Sequence, residues 1–499
     1  MSHHLKTNLA TSIIAGALAP LALAPSNIWP LALLSVVLFW YSLNQSKHTK
    51  NAIINGLAYG LGYFGVGVSW VFVSMVEHSD THWLLACVLT FLFCGGLALL
   101  YGLFAGLFYH FKKYHHYPTL LFIGLWICLD LLRGWFLTGF PWLYLGYGGL
   151  GTFIDGYAPI LGVHGVTLAL LASALLAFGM QVKLYLRVAL LGLLWLLGYG
   201  LSTVSWTQAS QKDPITVTLL QANISLETKW LPPTLAPTLQ YYFKQSYLHL
   251  DSDLIVWPET AIATYWDHIA PAFQPLRELA KEENTQIISG TVIRESADTS
   301  ASYYNGLIAF GAEDGQYYKQ RLVPFGEYVP LESWLRGAIN FFNLPMSAFK
   351  LPLDEQGLLT QNIAIAGNIC YEITYPQLVA QQAAQAQIIL TVSNDTWFDR
   401  SLAPWQHLQM AQMRALENGK PVVRATNSGV TALISATGDV THMAPLYQQA
   451  QLTGEVTLME GQTPYNSGLN WPIFLLSVGL ILCGFRRNSV GFLPIGFKT

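Results

Sequence analysis

The sequence predicts a polytopic α-helical membrane bundle of about eight spans, with an α/β or α+β domain inserted before the last of them. Three observations carry this reading. The 499 residues are 53% hydrophobic and only 11% charged, with a mean hydropathy of +0.38, whereas an ordinary soluble domain is about 25% charged. The apolar residues gather into long uncharged runs over 8–205 and again over 469–485, with mixed composition between. Inside the mixed stretch, short β-rich runs alternate with helical ones, as strands do when helices cover their sheets.

Apolar runs near 8–24, 27–44, 52–74, 83–110, 117–135, 159–181, 185–205 and 469–485 reach the roughly 17 to 25 residues that cross a hydrocarbon core. Residues 1–24 also admit a signal-peptide reading, since Lys6 precedes an apolar stretch ending in Ala-Leu-Ala, but another apolar run starts almost at once. The expected parts are a bundle over 1–205, a globular domain over 206–462, and a final span with its tail over 463–499.

Loop charge sets the expected orientation. With eight alternating spans, Lys6, Lys47, Lys50, Lys112, Lys113, Lys183, Arg187, Arg486, Arg487 and Lys498 fall on one side; the short loops opposite hold Arg133 with Glu77, Asp80 and Asp155. Both termini are therefore expected in the cytoplasm and the large domain across the membrane, in the periplasm of a cell with two membranes. Residues 206–460 carry 14 Lys+Arg against 24 Asp+Glu, so the exported domain is acidic and a poor nucleic-acid binder.

In the bundle, Asp130 and Arg133 stand near the end of the fifth run, and ionisable groups at that depth face a protein interior or a wet cavity. Three positions apart on a helix, they have an ion pair with each other as one reading; a substrate-facing Arg133 is the other. The uncharged, aromatic stretch Thr138–Tyr147 suits an interfacial loop or the shaping of a lipid entrance. No P-loop, dinucleotide fingerprint or cysteine/histidine zinc spacing occurs, so neither a cofactor nor a metal is expected. Cys87, Cys94, Cys128 and Cys483 lie inside the apolar runs and read as small membrane-core residues.

In the domain, Thr216–Asn223, Leu254–Trp257, Gln286–Ile293, Gly306–Phe310, Ile363–Ile369, Ile388–Val392, Val422–Ala425 and Thr431–Ser435 read as strands, and Pro376–Ala386 and His407–Glu417 as helices. Three residues at or just beyond strand ends suit acyl transfer. Cys370 is the domain's one cysteine, so it has no partner there for a disulfide and is a candidate nucleophile. Glu259, held behind Pro258, can take a thiol proton. Lys319 can offer a cation to an oxyanion. Taken singly, a strand-end Glu or Lys also reads as a solvated charge, and a buried Cys as inert packing.

Together they resemble the Glu-Lys-Cys triad of the nitrilase superfamily, in that chain order. With the spans around the domain, the chain resembles the apolipoprotein N-acyltransferase family over essentially its whole length. The matching words are Val256-Trp257-Pro258-Glu259-Thr260; Tyr318-Lys319 followed by 322–330; Cys370-Tyr371-Glu372; Ser393-Asn394-Asp395-Thr396-Trp397-Phe398; 414–419; and 424–429. The resemblance implies an αββα sandwich with Glu259 as general base, Lys319 as transition-state stabiliser and Cys370 as nucleophile. It further implies supporting roles for Glu327, Tyr371 and Glu372, and a functional tryptophan at Trp230 near the mouth of the site.

The implied reaction takes an acyl chain from a membrane phospholipid, phosphatidylethanolamine through its sn-1 ester, onto Cys370 as a thioester. The chain then passes to the α-amine of a diacylglyceryl-modified N-terminal cysteine on an apolipoprotein. A monomer of the inner membrane, with no nucleic-acid partner, is expected. Residues 331–360, rich in Trp, Phe and Leu, read as a lid for acyl chains or as a core-packing insertion. Two other readings stay open at this point: a membrane-tethered amidase that passes the acyl group to water, and a scaffold or transporter with a degenerate domain.

Overall fold

The computed structural model describes residues 3–485 apart from 80, 180–181, 296–301, 325, 329–348 and 355, with the side chains of 3–5 left aside. The expectations resting on Asp80, Arg486, Arg487 and Lys498, and on 331–348 of the apolar arm, lie outside the described residues.

The apolar runs of the first half form α1 (His3–Leu18), α2 (Pro30–Asn44), α3 (Thr49–Gly67), α4 (Trp70–His78), α5 (Trp83–Phe111), α6 (Pro118–Arg133), α7 (Ala158–Phe178) and α8 (Leu184–Ser202), and a terminal helix, Trp471–Cys483, follows the domain. Proline opens α2, α6, α7 and the terminal helix in the first turn, where its missing N–H would have no partner anyway. Glycine permits close helix approach: a Cβ on Gly56 would lie 2.2 Å from the Tyr101 carbonyl oxygen of α5.

By length and composition, fewer helices than the eight expected spans qualify as membrane-crossing. Among the described residues, three segments, Trp83–Tyr114, Phe153–Phe178 and Leu184–Ser202, are long and apolar enough to cross a membrane, or four if α3 and α4, bent by 49°, make one span. The other runs give helices of 13 to 16 residues, below the roughly 20 that span alone. α5 and α8 expose Phe91, Leu92, Leu193 and Leu196, as lipid-facing helices do.

The aromatic stretch after α6 also departs from expectation. Trp142, Leu143, Tyr144 and Tyr147 are buried in the hydrophobic core shared with α2, α3 and α6. The exposed piece is Trp135–Leu137, just before it. Buried hydrogen-bonding partners explain the inversion: the Trp142 indole donates to Gln406 Oε1 at 2.7 Å, and the Tyr63 hydroxyl to the Leu143 carbonyl.

The domain is two facing sheets. The first holds β1 (Ile215–Gln221), β2 (Leu254–Val256), β3 (Ile262–Tyr265), β4 (Gln286–Arg294), β5 (Tyr303–Gly311), β6 (Gly315–Tyr318) and a late strand, β12 (Ala450–Val456), in the order β12-β1-β2-β4-β5-β6 with β3 beside β4. The second runs β11-β10-β9-β8-β7, from Val440–Met443, Ala432–Ile434, Val422–Thr426, Ile388–Ser393 and Ile365–Ile369 respectively.

Val217, Val256, Leu307, Ile369, Leu390 and Val423 meet between the sheets. Outside the first lie α9 (Pro232–Leu248) and α10 (Gln274–Glu282), around Tyr242, Trp257 and Phe273; outside the second lie α11 (Pro376–Ala383) and α12 (Ala403–Asn418). The layers run α-β-β-α.

α12 joins the two halves. Leu408, Ala411 and Ala415 pack on the second sheet, while Ala403, Met410 and Met413 belong to the core of the bundle. That spacing puts the two sets on opposite faces of one helix. Polar side chains on the bundle face are satisfied across the junction: Gln406 Nε2 donates to the Gly67 carbonyl, Gln409 accepts from Ala24 N–H, and Glu417 from Val163 N–H.

Candidate active site

Three strands end at one place. β2 stops at Val256, and Trp257, stacked on Tyr242 with ring centroids 4.7 Å apart, anchors the turn that delivers Glu259. Neighbouring β4 supplies Gly290 there: a Cβ would stand 2.7 Å from Glu259 Cα, so only glycine lets the carboxylate's backbone pass. β6 ends on Tyr318 and β7 on Ile369, delivering Lys319 and Cys370 in turn. Cys370 has φ of 52°, a left-handed conformation uncommon for a side chain with a Cβ and concentrated at functional sites.

The polar groups interlock. Lys319 Nζ lies 2.9 Å from Glu327 Oε1 and 3.4 Å from Glu259 Oε1. Asn305 Nδ2 donates to both carboxylates at 2.8 Å, and Asn305 O accepts from Lys319 N–H. Glu259 Oε2 accepts from Asn394 N–H at 2.9 Å, and Glu327 Oε2 from Val323 N–H at 2.9 Å. Lys229, itself buried, donates to the Glu259 backbone carbonyl at 3.0 Å.

Burial works against the charge of Lys319, but Glu327, Glu259 and Cys370 together hold its pKa above the ordinary lysine range. Burial pushes the Cys370 thiol up, Glu259 adds to the rise, and Lys319 opposes it. A thiol held in this way is disfavoured as the thiolate.

A second network grips the Cys370 turn from behind. His407 of α12 lies with Nε2 3.1 Å from the Cys370 carbonyl; a carbonyl only accepts, so Nε2 carries the proton. Arg424 Nη2 reaches Asp395 Oδ2 at 2.6 Å and His407 Nδ1 at 3.1 Å. Burial disfavours charge on Asp395, yet Arg424 and then His407 outweigh it and hold that carboxyl well below the usual range. The sequence reading did not single out Asn305, Lys229, His407, Asp395 or Arg424. Asp395 and Arg424 sit inside matched words; a lone histidine or asparagine in a mixed segment carries no signal of its own.

The supporting residues divide. Glu327 joins the Lys319 network directly. Glu372 is wholly buried and accepts from Gln320 and Arg321 N–H with one oxygen, and from Ile369 N–H and the Tyr317 hydroxyl with the other. It ties the turn after Lys319 to the turn at Cys370; burial pushes its pKa up to about 7 against those donors. The Tyr371 hydroxyl donates to the Gly139 carbonyl of the bundle at 3.2 Å. Trp230 is 39% exposed, one residue beyond Lys229. Arg133 is buried and pairs with Asp130 at 3.0 Å, with its guanidinium over the Tyr144 ring; these contacts favour the ion-pair reading over a substrate-facing one.

Comparison with known proteins speaks to the whole chain. Residues 15–176 match the family model of the apolipoprotein N-acyltransferase N-terminal domain, and 216–463 that of the carbon-nitrogen hydrolases. A protein of Pseudomonas aeruginosa named apolipoprotein N-acyltransferase is 43% identical over 482 residues, 94% of either chain. The chain belongs to the apolipoprotein N-acyltransferase family. A relative of that name from Photobacterium profundum is 36% identical over 97% of this chain and 96% of its own. Among solved structures, a mutant amidase from Nesterenkonia sp. AN1 aligns over 50% of this chain and 93% of its own, with TM-score 0.37 and 15% identity.

In this member of the apolipoprotein N-acyltransferase family, a cleft of about 1630 Å³ opens between domain and bundle at Gln320, the residue after Lys319. Gln320–Leu322, Lys350, Leu351 and Tyr375–Leu378 wall it on one side; Gly134–Thr138, Tyr144, Trp471 and Phe474 wall it on the other. Among the described residues, no three or more His, Cys, Asp or Glu are grouped to hold a metal.

Proposed function

We propose that Glu259, Lys319 and Cys370 carry an acyl transfer that completes lipoprotein maturation, moving a chain from a membrane phospholipid to an apolipoprotein. The observation that supports it most is the junction of β2, β6 and β7 ends, which gathers a thiol, a carboxylate and a doubly paired ammonium. The protein is an acyltransferase embedded in a membrane.

Glu259 takes the Cys370 proton as sulfur attacks the ester carbonyl carbon. Lys319 stabilises the oxyanion. The carbon–oxygen bond breaks, the glycerol oxygen leaves with the proton, and a lysophospholipid departs from a thioester. An amine then attacks the thioester, the carbon–sulfur bond breaks, and the thiol is restored as the amide forms. The donor is phosphatidylethanolamine through its sn-1 ester, and the acceptor is the α-amine of a diacylglyceryl-cysteine. Glu327 holds Lys319, and Glu372 and Tyr371 fix the nucleophile's turn.

Residues 1–205 serve as the bundle, 206–462 as the catalytic domain and 463–499 as the final span and tail. Eight membrane passages, including short helices, leave both termini in the cytoplasm of an inner membrane and the domain in the periplasm, and the protein works as a monomer. Trp230 stands at the mouth of the site. A site beside the bilayer spares the substrates a cost of about 0.8 kcal/mol for each CH₂ drawn into water.

Mass spectrometry after mixing with phospholipid tests the scheme. One acyl adduct is expected on Cys370, and none on Cys370→Ala; a diacylated peptide should then discharge it as N-acyl peptide. Free fatty acid without N-acyl peptide would instead mean hydrolysis.

A further inference from the structure

The cleft at Gln320 carries a charge pattern that the triad chemistry does not use. Its described lining includes two permanent cations, Arg321 and Lys350, and neither an aspartate nor a glutamate. Arg321 is exposed. Its guanidinium lies over the Tyr375 ring, 5.7 Å from the centroid, with Nη1 on the Gln320 carbonyl at 3.1 Å; among the described residues no carboxylate pairs with it. The Lys350 ammonium, also exposed, donates to the Ser302 hydroxyl at 2.9 Å.

The backbone under Arg321 is held rigid, because its N–H and that of Gln320 both end on Glu372. Arg321 therefore stands at a set offset from Lys319, two residues before it. Across the cleft the walls are apolar and exposed: Trp135, Leu137, Trp471 and Phe474. A ligand with a single anionic group next to long acyl chains matches both walls, and a guanidinium suits phosphate geometry through paired N–H donors.

We infer that Arg321, assisted by Lys350, binds the phosphodiester of the phospholipid donor and so places its ester carbonyl at Cys370 and Lys319. This makes Arg321 a specificity residue, selecting phospholipid over uncharged lipids with the same chains. The inference rests on the phospholipid-donor reading above.

A binding measurement separates the two. In full-length Cys370→Ala protein in detergent micelles, which cannot turn over, native mass spectrometry compares retention of phosphatidylethanolamine with that of diacylglycerol bearing the same chains. Phosphatidylethanolamine is expected to bind more tightly. Arg321→Gln should weaken it about tenfold while diacylglycerol is unchanged, Lys350→Gln should weaken it less, and Arg321→Lys should keep most of the preference. An unaltered preference in the Arg321→Gln/Lys350→Gln double variant overturns the inference, as does an equal loss for both lipids. Failure of the wild-type protein to acylate Cys370 counts against the thioester reading instead, and the binding comparison still decides the role of Arg321.

Discussion

At Cys370, two opposed demands meet in one residue. Its sulfur sits where burial and a carboxylate disfavour the thiolate, so reactivity has to be created during the reaction rather than stored in the resting enzyme. Alkylation by iodoacetamide at pH 7 is therefore expected to be slow, and to rise with pH well beyond the range of an ordinary exposed cysteine, since the folded-state pKa is shifted upward. Rapid alkylation at pH 7 would contradict this. The backbone of the same residue leans on His407. His407→Gln keeps an N–H near the Cys370 carbonyl, whereas His407→Phe keeps only the bulk; the first should retain most thioester formation and the second lose about tenfold or more, with phospholipid binding equal in both. Equal rates in the two variants would show that the hydrogen bond does not matter.

Elements show where sequence patterns are and are not sufficient. Ile365–Ile369 and Ile388–Ser393 are fully buried apolar strands, and both stand out by composition alone. Ala450–Val456 is a strand that the sequence reading does not include; it pairs with β1 over seven residues in antiparallel register, and Gln451, Thr453 and Glu455 alternate along it as its exposed residues. Glu259 and Cys370 were legible because each follows a strand read from the sequence and sits in a matched word; Lys319 was marked by its word alone, since Gly315–Tyr318 was not among the expected strands. The network behind it was not, because Asn305, His407 and Lys229 owe their roles to tertiary placement. α12 gives the sharpest test at this scale. Arg414 Nη2 donates to Glu417 Oε1 at 2.8 Å with both side chains fully buried. Glu417→Ala strands that guanidinium and is expected to cost about 3–5 kcal/mol, read as a lowered Tm in micelles; a change under 1 kcal/mol would mean that the pair is dispensable.

Over the whole molecule, the catalytic half is not an independent body resting on a membrane anchor. Tyr371, Tyr375, Leu378, Met410 and Met413 come from the domain but are buried in a core made mostly of bundle residues. Excised residues 206–462 would expose that patch to water, and contiguous apolar surface of this kind drives association. The excised segment is expected to elute as aggregate or to require detergent in gel filtration; a monodisperse monomer in plain buffer would refute this. Composition announced the membrane half and the β-rich half separately, and what it could not announce is that they share a helix.

That shared helix has a consequence for how such proteins can be recombined. A chimera that joins one relative's membrane half to another's catalytic half must choose whose α12 to keep. Either choice leaves one face against a surface it did not evolve with. The Cys370 turn, gripped by His407 from that helix, would register the mismatch even where Glu259, Lys319 and Cys370 are unchanged.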